Sequence, residues 1–125
     1  MLKILKKIKF AHSENRMKKE GDVKNSIEQF DKKNTNLDFL LTERFHWMNN
    51  YIQDSDIGIE VGCAAGFSKL YIKNKNFKIS DFSDDDHLDY KNIDAQETGF
   101  KDRSFDYVIA SNMIHHLPFP LKFFK

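Results

Sequence analysis

The chain has 125 residues, which suits one domain and little more. Hydrophobic residues make up 40% and charged residues 31%, a soluble globular composition with enough aromatic side chains to build a core. A net charge of +1 excludes a strong general pull toward nucleic acid, and the one cysteine, Cys63, excludes an intrachain disulfide.

The charge is uneven. Residues 1–33 carry a net of +5 and the remainder a net of −4. Ile4, Leu5 and Ile8 recur at helical spacing among lysines. That pattern fits an amphipathic helix at an anionic membrane surface or a solvated basic terminus. Met1–Phe10 lacks the long apolar centre and small-residue cleavage site of a secretory signal. No apolar run reaches the roughly 18 residues that span a bilayer. A cytoplasmic location is the default expectation, and a lone cysteine suits a reducing compartment.

Residues 13–25 are polar and read as a loop. Asn34-Thr35-Asn36 can start a helix, and Leu37, Leu40, Leu41, Phe45, Met48 and Ile52 then recur at three- and four-residue steps. This predicts a helix over 37–52 with those six residues on its buried face. The expected organisation is a basic N-terminal segment, 1–36, followed by a domain over 37–125. Ile57–Val61 is a short apolar strand that runs into a Gly/Ala loop. Helical character returns over Gly66–Lys73, with Phe67, Leu70 and Tyr71 on one face. Phe77–Asp81 reads as a second strand, 83–87 as an acidic loop and Tyr90–Asp94 as a short third strand. Gly99–Ser104 is rich in turn residues, and Phe105–Ala110 is the fourth strand. Pro118 and Pro120 delay a further helix from Leu121. Strands separated by helical segments predict an α/β fold with a parallel sheet.

The most informative stretch is Glu60-Val61-Gly62-Cys63-Ala64-Ala65-Gly66. A strand ends in a carboxylate, small residues let the backbone bend sharply, and a helix start follows. In open α/β sheets, ligands bind at this carboxyl end of the strands. The loop alone also fits a structural turn with no ligand. A dinucleotide fingerprint counted from Gly62 would need its last glycine at Phe67, and the Gly-Lys-Ser/Thr of a phosphate loop is missing. Asp81 closes the second strand, where a carboxylate can accept bonds from two ribose hydroxyls. Ile93-Asp94-Ala95-Gln96 and Asp106–Leu117 complete the set.

Taken in this order, the four segments resemble the class I S-adenosylmethionine-dependent methyltransferases, type 11 in particular, over residues 57–125. The first is similar to the family's acidic-x-Gly-x-Gly-x-Gly motif, with Ala64 in place of the middle glycine, a departure tolerable where the local φ is negative. The resemblance implies a Rossmann-like sheet and S-adenosyl-L-methionine as cofactor. It places Glu60, Gly62, Cys63, Ala64 and Gly66 around the amino-acid end of the cofactor and Asp81 at the ribose. Asp94 and Ala95 would face the adenine, with Phe100 as a nearby wall or a plain core residue. Asn112 and Met113 would line the mouth of the pocket.

His115 and His116 are candidate general bases or packed histidines. They do not form a metal site by themselves, since adjacent side chains point apart and no third ligand follows at a suitable spacing. A complete domain of this family has seven strands ordered 3-2-1-4-5-7-6. Four are expected here, as 3-2-1-4, which implies a truncated frame or fragment with an exposed edge at the fourth strand, open to self-association. The implied acceptor is a small molecule or a glycan- or lipid-linked group rather than nucleic acid. An NAD-binding domain and a non-enzymatic interaction module remain the alternatives.

Overall fold

A computed structural model describes residues 23–31 and 35–125. The basic stretch around Ile4, Leu5 and Ile8, and the predicted loop up to residue 22, lie outside them. Helix α1, Val23–Asp31, falls where no helix is predicted and takes in the last three residues of that loop. Val23, Ile27 and Phe30 recur along it at four- and three-residue steps. The Phe30 ring lies 4.9 Å from that of Phe67.

Helix α2 runs Thr35–Phe45 and then tightens into a 3-10 turn, His46–Asn50, so the helix predicted over 37–52 is shorter than its pattern. Asn49 explains the change. Its amide donates to the carbonyls of His46 and Tyr71, and its carbonyl accepts from the Lys73 amide at 2.8 Å. These bonds compete with continued α-helix and fasten the helix end to residues 71–73. Leu41 and Phe45 are buried, with Leu37, Met48 and Ile52 packed beside them. Leu40 is not on this face. A step of 100° per residue leaves room inside for Leu41 and turns Leu40 outward.

Three parallel strands form the sheet: β1 (Gly58–Val61), β2 (Phe77–Ser80) and β3 (Tyr107–Ile109), in the order β2-β1-β3. Val61 pairs with Ser80, and Glu60 pairs with Ile109. The predicted third strand is reduced to a single parallel bridge, Ser80 to Tyr90, on the outer side of β2. The order 3-2-1-4 is thus kept in position. A side chain replaces the rest of the ladder there: the Ile79 amide donates to the Asp89 carboxylate at 2.8 Å, and the amides of Asp89 and Tyr90 both return to the Ile79 carbonyl. Burial opposes ionisation of Asp89, but Lys69, 2.7 Å away, together with the Ile79 amide, holds the carboxyl below its usual range.

The helix predicted over Gly66–Lys73 is one 3-10 turn, Phe67–Leu70, which turns Leu70 to solvent while Phe67 and Tyr71 pack inward. The helix predicted from Leu121 is likewise a 3-10 turn, Pro120–Phe124.

Alternation along the strands builds two cores. One face carries Leu41, Phe45, Ile72, Phe77, Ile79, Leu88 and Ile109. The other carries Ile59, Val61, Ala95 and Met113. Gly58 lets the Tyr107 ring lie flat across β1, where a Cβ would meet it at 1.9 Å, and so lets that ring stack on Phe77. Among the described residues β3 pairs with β1 alone, and Val108 is exposed on it. The chain is therefore a small α/β unit of the Rossmann-like kind, with its loops gathered at the carboxyl ends of parallel strands.

Candidate functional site

The loop after β1 is anchored before it can meet any ligand. The amides of Gly62 and Cys63 both donate to the Ser80 carbonyl, at 2.9 and 3.1 Å, and the Gly66 amide donates back to Cys63. Gly62, Ala64 and Gly66 all have positive φ, +71°, +49° and +70°. Alternate residues in the left-handed region produce the tight curl, and they show why the motif places glycine at every second position. Ala64 therefore lacks the negative φ at which alanine would be comfortable. A Cβ at Gly62 would stand 2.9 Å from the Met113 Cβ, and one at Gly66 would stand 2.6 Å from Cδ1 of Ile79. Both glycines are required by close approach as well as by backbone conformation.

Asp81 ties the remaining segments to this loop. One carboxylate oxygen accepts from the Ala64 amide at 2.8 Å, the other from the Ser83 amide. Its own carbonyl accepts from Ile93 at 2.9 Å, which brings Asp94 alongside. Asp94 is half-buried and holds its turn by accepting from the Gln96 amide, while Ala95 is buried in the second core. Met113 is buried against Gly62, and Asn112, exposed and at φ +55°, forms the bend before it. The structure thus joins the Gly62–Gly66 loop, Asp81 and Met113 directly and brings Asp94 and Asn112 beside them as a rim, while Ala95 is buried in the second core and Glu60 lies beneath the loop.

Of these residues Glu60 lies deepest. Its carboxylate accepts from the Ser68 hydroxyl, and its carbonyl accepts from Ser80 Oγ at 2.8 Å. Burial pushes the carboxyl up to about 7, although Ser68 and Arg44 pull the other way. It sits beneath the loop, on the α2 side of the sheet. Burial likewise raises the Cys63 thiol above its ordinary value, with the charges of Glu60 and Asp81 adding, which disfavours the thiolate.

His115 and His116 are exposed, with rings 4.0 Å apart on the 3-10 turn Ile114–His116. No group of three metal-ligating side chains occurs among the described residues. Phe100 makes edge contacts with Tyr90 and Phe105 at about 5 Å and belongs to the second core.

Sequence reasoning missed three neighbours of the site. Ser68 is buried and bonded to Glu60; a serine set among Phe67, Leu70 and Tyr71 is the signal that marked it. His87 brings Nε2 to within 2.7 Å of the Ala64 carbonyl. Phe82 is exposed directly after Asp81. A hollow of about 340 Å³ opens elsewhere, over Ile59, Val61 and Val108 with Lys101 and Arg103 among its lining, and shares only Ala95 with the residues expected at the site.

A family model described as a methyltransferase domain, of type 11, matches residues 59–125. The match covers more than half of the chain, from within β1 through every segment of the rim, and the chain belongs to this class I methyltransferase family. Searches of curated proteins and of solved structures returned no match.

Proposed function

We propose that the rim binds S-adenosyl-L-methionine and serves methyl transfer to a small-molecule or glycan- or lipid-linked acceptor. The observation that carries this reading is Asp81, which bonds directly to both the glycine loop and the third segment, so that the family's motifs face one edge of the sheet. The residues suit the cofactor. Gly62 and Gly66 give a surface without side chains, and Asp81 supplies a carboxylate at the ribose position. Asp94 and the Ala95 backbone would read the adenine edge, and Phe82, next in sequence to Asp81, presents an exposed ring. Asn112 would border the mouth of the pocket, with Met113 buried behind it against Gly62.

When bound, the cofactor supplies an electrophilic methyl group on a sulfonium whose leaving group is a neutral thioether. The chain's contribution is positioning, a large term when two reactants must align. Glu60 acts from below, through Ser68, to fix the start of the turn that follows the loop. His115 and His116, exposed after β3, would be the groups to take a proton from an acceptor that needs to lose one.

Dinucleotide binding is the weaker reading. Four loop amides, those of Gly62, Cys63, Ala64 and Gly66, already donate to protein acceptors, which leaves them unable to cradle a pyrophosphate. Among the described residues no helix is long and apolar enough to cross a membrane. Among the described residues β3 pairs with β1 alone, and a strand edge of this kind can serve self-association.

The test is S-adenosylhomocysteine affinity in Asp81→Ala and Gly62→Val. Each is expected to lose at least about tenfold, the equivalent of one charge-assisted hydrogen bond. Unchanged affinity in both variants would remove the rim as the binding site.

A further inference from the structure

Ala64 is the one residue of the glycine loop that carries a Cβ in the left-handed region, at φ +49°. That conformation is disfavoured for such a residue by roughly five- to thirtyfold in population, so contacts from outside must hold it. Both of its backbone polar groups are held from one stretch of chain. The Ala64 amide donates to Oδ2 of Asp81 at 2.8 Å, and the Ala64 carbonyl accepts from Nε2 of His87 at 2.7 Å. The His87 ring also borders Gly66, where a Cβ would meet its Cδ2 at 3.2 Å. The neighbours of His87 deliver it to the loop. Leu88 is buried in the first core, its amide closes a turn onto the Asp85 carbonyl, and the Asp85 carboxylate accepts from Ser83 Oγ.

We propose, on the reading of this loop as the cofactor's, that His87 is a positioning residue that latches the loop in its bent form before the ligand arrives. Asp81 alone grips only the amide of Ala64. With His87 the residue is gripped at its carbonyl as well, and the loop after β1 is fastened twice to the segment after β2. A carbonyl can only accept, so Nε2 must carry a proton, which the charged ring and one neutral tautomer both provide. The latch therefore needs a donor rather than a charge. Glutamine at this position has an amide nitrogen as many bonds from Cβ as Nε2 and can supply the same donor. A loop shaped in advance spares the ligand the cost of ordering it, so loss of the latch is read as weaker binding.

Cys63, the chain's one cysteine, immediately precedes Ala64 and is partly buried, so its alkylation by iodoacetamide reports opening of the loop with no ligand present. The experiment uses the full chain as parent, His87→Ala and His87→Gln. It measures the Cys63 alkylation rate first and S-adenosylhomocysteine affinity by calorimetry second. His87→Ala should alkylate about two- to tenfold faster and bind about two- to tenfold more weakly, the range that one neutral hydrogen bond covers. His87→Gln should return both values close to the parent's, which a general loss of stability would not do. An unchanged alkylation rate in His87→Ala, or a glutamine variant that behaves like the alanine, would overturn the proposal. So would unchanged or tighter binding by His87→Ala, since the latch would then not prepare the loop for its ligand. If the parent itself fails to bind, the cofactor reading falls, while the ligand-free alkylation rates still decide whether His87 holds the loop.

Discussion

Replacing Glu60 with Gln tests how this small fold tolerates a carboxyl in its core. Glu60 is buried, with the Ser68 hydroxyl as its side-chain partner, and burial raises its pKa from the ordinary 4.5 to about 7. The folded state therefore holds a proton that the unfolded state releases above pH 4.5. The sign follows: this stability is fully present below pH 4.5 and is lost as pH rises through 7. Between pH 5 and pH 8 the loss is on the order of 2 kcal/mol, a large share of what a domain of this size commands. Gln keeps an oxygen for Ser68 and cannot ionise. Urea denaturation at steps from pH 5 to pH 8 should show the parent losing stability with rising pH, while Glu60→Gln stays flatter by that amount. Parallel pH profiles in the two proteins would show that Glu60 is not buried as described.

Three further substitutions probe the backbone and the sheet. Ala64→Gly should stabilise by about 0.5–1 kcal/mol, because relief of the left-handed alanine outweighs the added freedom of the unfolded chain; thermal unfolding should show a rise of a few degrees. Gly58→Ala should cost about 3 kcal/mol or more by driving the Tyr107 ring off β1, and a smaller residue at 107 should recover part of the loss in a double-mutant cycle followed by denaturation. Tyr107→Phe should be neutral or stabilising by about 1 kcal/mol, since the hydroxyl is buried without a partner and burial holds its pKa up at about 12; calorimetry of the two proteins measures the difference.

Several parts of this architecture were legible because a single physical signal dominated. The alternation of Ile59, Glu60 and Val61 before a glycine loop, and the acid closing β2, defined the sheet and the rim. Lengths were less legible. The pattern over 37–52 runs unbroken, yet Asn49 exchanges helical bonding for ties to residues 71 and 73, a tertiary event invisible in periodicity. The third strand shrank to a bridge because Asp89 satisfies the Ile79 amide with a side chain, which no strand propensity anticipates. Helix α1 was missed because three apolar residues in nine are too few to stand out, and Phe67 supplies the contact that gives Phe30 its place. At the site, the spacing of residues 62, 64 and 66 was readable, but the sign of φ at Ala64 was not. The depth of Glu60 depended on Ser68, eight residues on, reaching back under the loop.

Calorimetric titration of the chain with S-adenosylhomocysteine and, separately, with NAD addresses the assignment most directly. One-site binding of the thioether that weakens in Asp81→Ala, with no heat from NAD, is the expected result. Saturable NAD binding with no response to S-adenosylhomocysteine would contradict it.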